Sequence, residues 1–311
     1  MKHVLFVSAV LLGAAATPAA RCVEPAATKA VLVTGASTGI GRKITERLAA
    51  DGYFVYATAR KPEDLKALAA IKNVQPLQLD VTQPADVAAA VETVRKGGHG
   101  LYGLVNNAGI ATAGSLADMT FEEYELVMNV NAAGPVRMIK AFEALIIEQK
   151  GRIVNIGSIS GILARQNLPA YAMSKHAIEA LTDSLADQLS PVGVQVNVVE
   201  PGNYNSAITK NALARMGVDS ASAHGPGYPV RADRSNFKEP DEVAVAVEQA
   251  LFEPAPKRRY MVVPNQDEAE ITIRKQIEQL VQLNERQPYS YDRAALVKML
   301  DEALTKAQPV H

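Results

Sequence analysis

AVLVTGASTGIG, residues 30–41, passes from an apolar run into a glycine-rich turn, and GRKITERLAADG then continues as an amphipathic stretch that closes at Gly52. A β-like run, a turn and a helix in that order make the opening of a βαβ unit. Gly35 permits a tight turn, while Gly39 and Gly41 let the backbone approach a pyrophosphate at the helix N-terminus. There, free N–H groups and the helix dipole favour anions. Ser37, Thr38 and Ile40 complete the expected cradle. The spacing is GxxxGxG rather than GxGxxG, and a plain tight turn would use the same residues. The position between strand and helix is what makes it a phosphate site.

The alternation continues along the chain. YFVYAT, VQPLQLDVT, LYGLVNNAG, GRIVNIGS, GVQVNVVEPG and RRYMVV supply six further strands, and a helix opens near Gln83 with Pro84 in its first turn. Longer helical stretches cover about 120–149 and Tyr171 to Ser190. The fold class expected is therefore α/β, a Rossmann-like doubly wound sheet of about seven parallel strands with helices on both faces. One domain is expected over 29–264. Within it, Asn203 to Lys238, rich in Gly, Pro, Ser and Asn, reads as a substrate lid. Two amphipathic helices, about 266–284 and 292–307, form a C-terminal extension over 265–311.

Composition narrows the function. The chain has 311 residues, a net charge of −1 and 48% hydrophobic content, which points away from nucleic-acid and anionic-membrane surfaces. The basic run PKRRY, 256–260, reads as solvated residues leading into a strand. One cysteine, Cys22, excludes an internal disulfide framework, and the five histidines lack ligand spacing, so no metal is expected. MKHVLFVSAVLLGAAATPAARC has a basic start, an apolar run and small residues, the order of a secretory signal, too short for a span of about 20 residues. Residues 1–28 are set apart as a signal-like or anchoring segment, the one place of membrane contact. Such a segment suggests export, or anchoring with the domain facing the cytoplasm; a misassigned start is the alternative.

At the end of the second strand, an acidic residue would bind ribose hydroxyls and select NAD. Here VYATAR puts Ala59 in that place, with Arg60 next, an unopposed guanidinium suited to a 2′-phosphate and hence to NADP(H); Thr58 adds a hydroxyl donor. The alternative is an arginine facing solvent beside Glu63 and Asp64. Asp80 and Val81, ending the third strand, are placed to meet the adenine, although a helix-capping carboxylate would look the same. Asn107, Ala108 and Gly109 end the fourth strand and suit either loop stabilisation or close cofactor approach.

YAMSK, 171–175, sets Tyr171 and Lys175 on one helix face. A nearby ammonium lowers the phenol's pKa from its ordinary value near 10. Alone, such a pair is common on helix surfaces. Ser158, in NIGSISG at the end of the fifth strand, is the third reactive residue.

TGASTGIG, NNAG, Ser158, YAMSK and the PG at 201–202, in that order, resemble the short-chain dehydrogenase/reductase family over about residues 29–264. The resemblance implies Tyr171 as general acid/base, Ser158 as the donor orienting a carbonyl, and Lys175 on the nicotinamide ribose, depressing the tyrosine pKa. It implies that Asn131, in NVNAAG, holds a relay water at a helix irregularity. Pro201, Gly202 and Ser206 would adjoin the nicotinamide. Two departures occur: PGNYNS brings in Tyr204, adding bulk near the cofactor, and IGS replaces the common ISS while keeping Ser158. The implied reaction is hydride exchange between NADP(H) and a small-molecule secondary alcohol or carbonyl. A lipophilic substrate is expected against Ile162, Leu163, Leu168 and Ala207. The family implies a homodimer or homotetramer through the two long helices. A non-catalytic NADP(H) sensor, or a dehydratase or epimerase on the same scaffold, are the rival functions.

Overall fold

The computed structural model describes residues 28–112, 114–215 and 234–307. The signal-like segment up to residue 27 and most of the expected lid, 216–233, lie outside those residues. The chain runs β1 (Ala30–Val33), α1 (Gly39–Ala50), β2 (Phe54–Ala59), α2 (Pro62–Ala69), β3 (Val74–Gln78), α3 (Pro84–Gly97) and β4 (Gly103–Asn106). It continues through α4 (Phe121–Met128), a π-helical turn (Asn129–Ala133), α5 (Gly134–Glu148), β5 (Arg152–Ile156), α6 (Pro169–Leu189) and β6 (Gln195–Pro201). The last elements are α7 (Ile208–Arg215), α8 (Asp241–Phe252), β7 (Arg259–Val262), α9 (Gln266–Asn284) and α10 (Arg293–Ala307).

The sheet has seven parallel strands in the order β3-β2-β1-β4-β5-β6-β7. This is the expected fold class. Each strand is covered on both faces, so its apolar residues alternate between two cores. Ala30 and Leu32 join Tyr56, Leu104 and Ile153 in a layer closed by Val91, Phe142 and Leu185. Val31 and Val33 join Val55, Val105 and Val154 in the layer closed by Ile44, Leu68 and Val247. Helices α2, α7 and α8, which the sequence pattern did not signal, close that second layer or border the crevice beside it.

Strand order reverses between β1 and β4, so a crevice opens at their C-terminal ends. Within the sheet, Asn106 Nδ2 donates to Asn155 Oδ1 at 2.9 Å, and Asn155 Nδ2 donates to Thr182 Oγ1 at 3.0 Å. Asn155 and Thr182 are both fully buried. The run at 256–260 leads into β7 with Lys257, Arg258 and Arg259 exposed, as expected; Arg259 also pairs with Asp183 and Glu179 of α6, and Arg258 with Asp187. Among the described residues no helix is long and apolar enough to cross a membrane.

Asn155→Ala removes the acceptor of one buried amide and the donor to a buried hydroxyl. A loss of about 2–4 kcal/mol in urea-unfolding stability is expected; a loss under about 0.5 kcal/mol would show that water replaces the network.

Candidate active site

The glycine turn is clamped to the β4 loop. Thr34 Oγ1 accepts from the backbone N–H of Asn107 (2.9 Å) and of Ala108 (3.0 Å), and Asn107 Nδ2 donates back to the carbonyls of Thr34 and Gly35. Gly35 and Gly39 have φ of 66° and 56°, the left-handed region that glycine enters without a Cβ penalty. A Cβ on Gly41 would lie 2.3 Å from both Asn107 Nδ2 and Gly35 O. Thr58 is drawn into the same clamp: its Oγ1 accepts from Gly35 N at 3.2 Å, so it braces the turn instead of facing a 2′-phosphate.

A cavity of about 570 Å³ extends from this turn. Its wall includes Gly35, Ser37, Thr38, Gly39, Ile40, Gly41, Arg60, Asp80, Val81, Asn107, Ala108 and Gly109 at one end. Ser158, Tyr171, Lys175, Pro201, Gly202 and Ser206 line the other. All the catalytic and cofactor-binding candidates except Asn131 and Thr58 thus meet at one crevice. Of the expected apolar wall only Ala207 lines it; Ile162, Leu163 and Leu168 do not. These three lie between a short 3₁₀ turn at Ile159–Gly161 and the start of α6. Arg215 and Arg234, which no sequence signal marked, do line it.

Asn131 sits just behind the wall, in the π-helical turn between α4 and α5. Its Oδ1 accepts from Ile110 N (2.9 Å), and its Nδ2 donates to Ile110 O (2.8 Å) and Ser174 Oγ (3.0 Å). The side-chain amide therefore ties the β4 loop to α6, directly below Tyr171.

Arg60 is not unopposed. Its Nη1 lies 3.6 Å from Asp80 Oδ2, because β2 and β3 are adjacent and their ends meet. Strand β3 stops at Gln78, so Asp80 belongs to the following loop, where its Oδ1 accepts from Thr82 N and Oγ1. These hydrogen bonds and Arg60 hold the Asp80 carboxyl below the usual range, against the opposing effect of burial. Arg60 stays two-thirds exposed, and an exposed pair this long holds it weakly. Tyr204 also differs from expectation. It lines the cavity, but its ring is buried in the core layer of Val31 and Val33 and its hydroxyl donates to Glu242 Oε2 at 2.9 Å.

At the reactive end Ser158 Oγ accepts from Ser160 N at 3.1 Å and donates to Pro201 O at 3.4 Å, on the wall it shares with Tyr171. Lys175 Nζ donates to Ile156 O at 2.7 Å and lies 5.6 Å from the Tyr171 ring centre. Burial raises the Tyr171 pKa; Ser158 and Arg234 pull it down without reversing that. Lys175 shares the helix face of Tyr171, as expected. Its cation is engaged by the Ile156 carbonyl, and its own pKa falls to about 8 through burial, partly countered by Glu179.

One turn beyond Lys175, Glu179 meets Glu200 of β6. Arg259 Nε holds Glu179 Oε2 at 3.1 Å, whereas Oε1 of each glutamate is buried with no ordinary donor. Burial and the Glu179 charge raise the Glu200 pKa to about 8, and burial raises Glu179 as well, so the pair retains a proton at neutral pH.

The comparisons agree with this architecture. The family model described as short chain dehydrogenase matches residues 29–217. The chain belongs to the short-chain dehydrogenase family. Mitochondrial D-beta-hydroxybutyrate dehydrogenase of Bos taurus is 38% identical over 198 residues, covering 60% of this chain and 58% of that protein. Retinol dehydrogenase 5 of Mus musculus is 37% identical over 191 residues, covering 60% and 59%. A short-chain dehydrogenase from Sphingobium yanoikuyae, solved in complex with NADPH, superposes with a TM-score of 0.64 at 28% identity, covering 85% of this chain and 99% of that one. The match spans less than two thirds of the length of both curated relatives.

The folded pair holds a proton, whereas an unfolded glutamate releases it near pH 4.5. The associated stabilisation is therefore complete below pH 4.5 and drains away as pH rises toward about 8. Glu200→Gln should flatten this part of the stability profile, read as urea midpoints from about pH 5 to 8; parallel profiles for both proteins would exclude the retained proton.

Proposed function

We propose that the protein is an NADP(H)-dependent oxidoreductase that interconverts a secondary alcohol with a ketone or aldehyde. The observation that carries the reading is the convergence of Ser158, Tyr171 and Lys175 on the cavity that also holds the glycine turn. A non-catalytic sensor would have no use for that convergence.

The crevice fits a dinucleotide. The close approach at Gly41 and the left-handed Gly35 and Gly39 leave backbone where a side chain would otherwise stand, at the N-terminus of α1. A bound nicotinamide cofactor supplies the hydride. Lys175, fixed on the Ile156 carbonyl, is placed to bind the ribose and to keep a positive charge beside the reacting atoms. Absence of an acidic residue at Ala59, with Arg60 lightly held by Asp80, supports NADP(H): a 2′-phosphate is a stronger partner for the guanidinium than a carboxylate 3.6 Å away.

In reduction, Ser158 and Tyr171 hydrogen-bond the substrate oxygen, and Tyr171 gives up its phenolic proton as negative charge develops there. Burial keeps the phenol protonated until then, which suits the acid role. In oxidation the same oxygen must accept the proton, and Ser158 and Arg234 stabilise the phenolate. Asn131 supports the geometry through Ile110 and Ser174. Ile110, Ala207 and Ile208 leave room for an apolar substrate portion, and a retinol dehydrogenase among the relatives is in keeping with that.

Tyr171→Phe should reduce turnover by about 10³-fold or more with unchanged NADPH binding, assayed by nicotinamide absorbance and fluorescence; turnover within about tenfold of wild type would remove Tyr171 from the acid role. Arg60→Asp should move the NADP/NAD ratio of kcat/KM toward NAD by about 10–100-fold. An unchanged ratio would place the selectivity elsewhere.

A further inference from the structure

Most cations around the cavity have a partner. Arg60 faces Asp80, Lys175 donates to Ile156 O, and Arg215 donates to Ala111 O. Arg234 differs. Its Nη1 makes one long hydrogen bond, 3.4 Å, to the Tyr204 carbonyl, and its guanidinium carbon lies 5.4 Å from the Phe237 ring centre. Its Nε is buried with no hydrogen-bond partner, and no ion pair joins it to a carboxylate among the described residues. Glu268 is the acidic group whose charge it feels, but Glu268 is already taken: Oε2 accepts from Asn203 N (2.9 Å) and Oε1 from Asn203 Nδ2 (3.0 Å).

A guanidinium has five N–H donors and remains charged under all ordinary conditions. Holding it partly desolvated with the Nε donor unmet is costly unless an anion arrives. Arg234 lines the same cavity as Ser158 and Tyr171, and the phenol feels its charge. The unmet donor therefore belongs to a side chain that shares the cavity with the Ser158 and Tyr171 hydroxyls.

We infer that Arg234 is the anion-binding residue of the substrate pocket, and that the substrate carries an oxyanion, a carboxylate or a phosphate monoester, a few bonds from the carbonyl that Tyr171 protonates. This rests on the oxidoreductase reading above. The planar fork receives two oxygens of the anion at once and so fixes the carbonyl relative to Ser158 and Tyr171. An apolar remainder lies along Ile110, Ala207 and Ile208, so the substrate class is an oxo acid or oxo phosphate, or the corresponding hydroxy compound, with an aliphatic portion.

The test uses the full chain loaded with NADP⁺ or NADPH, as wild type, Arg234→Gln and Arg234→Lys. Kinetics on aliphatic 3-oxo acids and on their methyl esters should favour the acid by about 100-fold in kcat/KM. Arg234→Gln should erase that preference chiefly through KM, and Arg234→Lys should keep part of it. Calorimetric titration of hexanoate and of butyl phosphate into the NADP⁺-loaded protein should show binding to wild type and its loss in Arg234→Gln. The tighter of the two identifies the anion. Equal kcat/KM for acid and ester, unchanged hexanoate and butyl phosphate binding in Arg234→Gln, or a weakened NADPH Kd as that variant's main defect would each overturn the inference. If Arg234-dependent anion binding is found but no oxo compound is reduced, the anion site stands and the oxidoreductase reading falls.

Discussion

The contact between the glycine turn and the β4 loop constrains everything at the C-terminal edge of the sheet. Gly41 is packed so closely that a single added carbon would meet Asn107 Nδ2 and Gly35 O at 2.3 Å. Thr34 and Asn107 close the same junction with reciprocal hydrogen bonds. Because β1 and β4 are neighbours where the strand order reverses, this clamp sets the width of the crevice and aims the N-terminus of α1 into it. Asn131 extends the restraint, tying Ile110 of the β4 loop to Ser174 of α6. The phosphate end and the reactive end are thus parts of one hydrogen-bonded frame.

The reactive end is built from ionisable groups that burial holds away from their ordinary charge states. Tyr171 is pushed up and Lys175 down, while behind them the pair of Glu179 and Glu200 keeps a proton. Each shift has the same cause, removal of water from a charge, and each partner offsets a part of it. Lys175 is held at the site chiefly by the Ile156 carbonyl and feels Glu179 from behind. Ser158, just after β5, and Arg234, in the segment before α8, pull the phenol down from where burial puts it.

The C-terminal extension enters the same frame at one point. Asn265 caps α9, and Glu268 in its first turn binds Asn203, whose neighbour Gly202 leaves no room for a Cβ against that carboxylate. The loop after β6 is consequently braced by a helix that lies outside the sheet. Beyond Thr272 the extension carries large exposed apolar residues, among them Ile277, Leu283 and Leu304.

By itself, the sequence determined the α/β class, the seven strands, the glycine turn and the Ser158, Tyr171 and Lys175 set that the crevice brings together. Those features are local: strand and helix periodicity, glycine spacing and an i, i+4 pair are written within a few residues of one another. Helices α2 and α7, eight residues each, escaped that reading because their patterns are short, and packing stabilises them; α8 follows the lid-like stretch and was passed over with it. Tertiary structure alone decided that Asp80 opposes Arg60, that Thr58 braces the turn, that Tyr204 packs into the core, and that Arg234 reaches the site of Tyr171. Each depends on groups far apart in the chain meeting across neighbouring strands or loops, and one sequence read locally carries no signal for such distances.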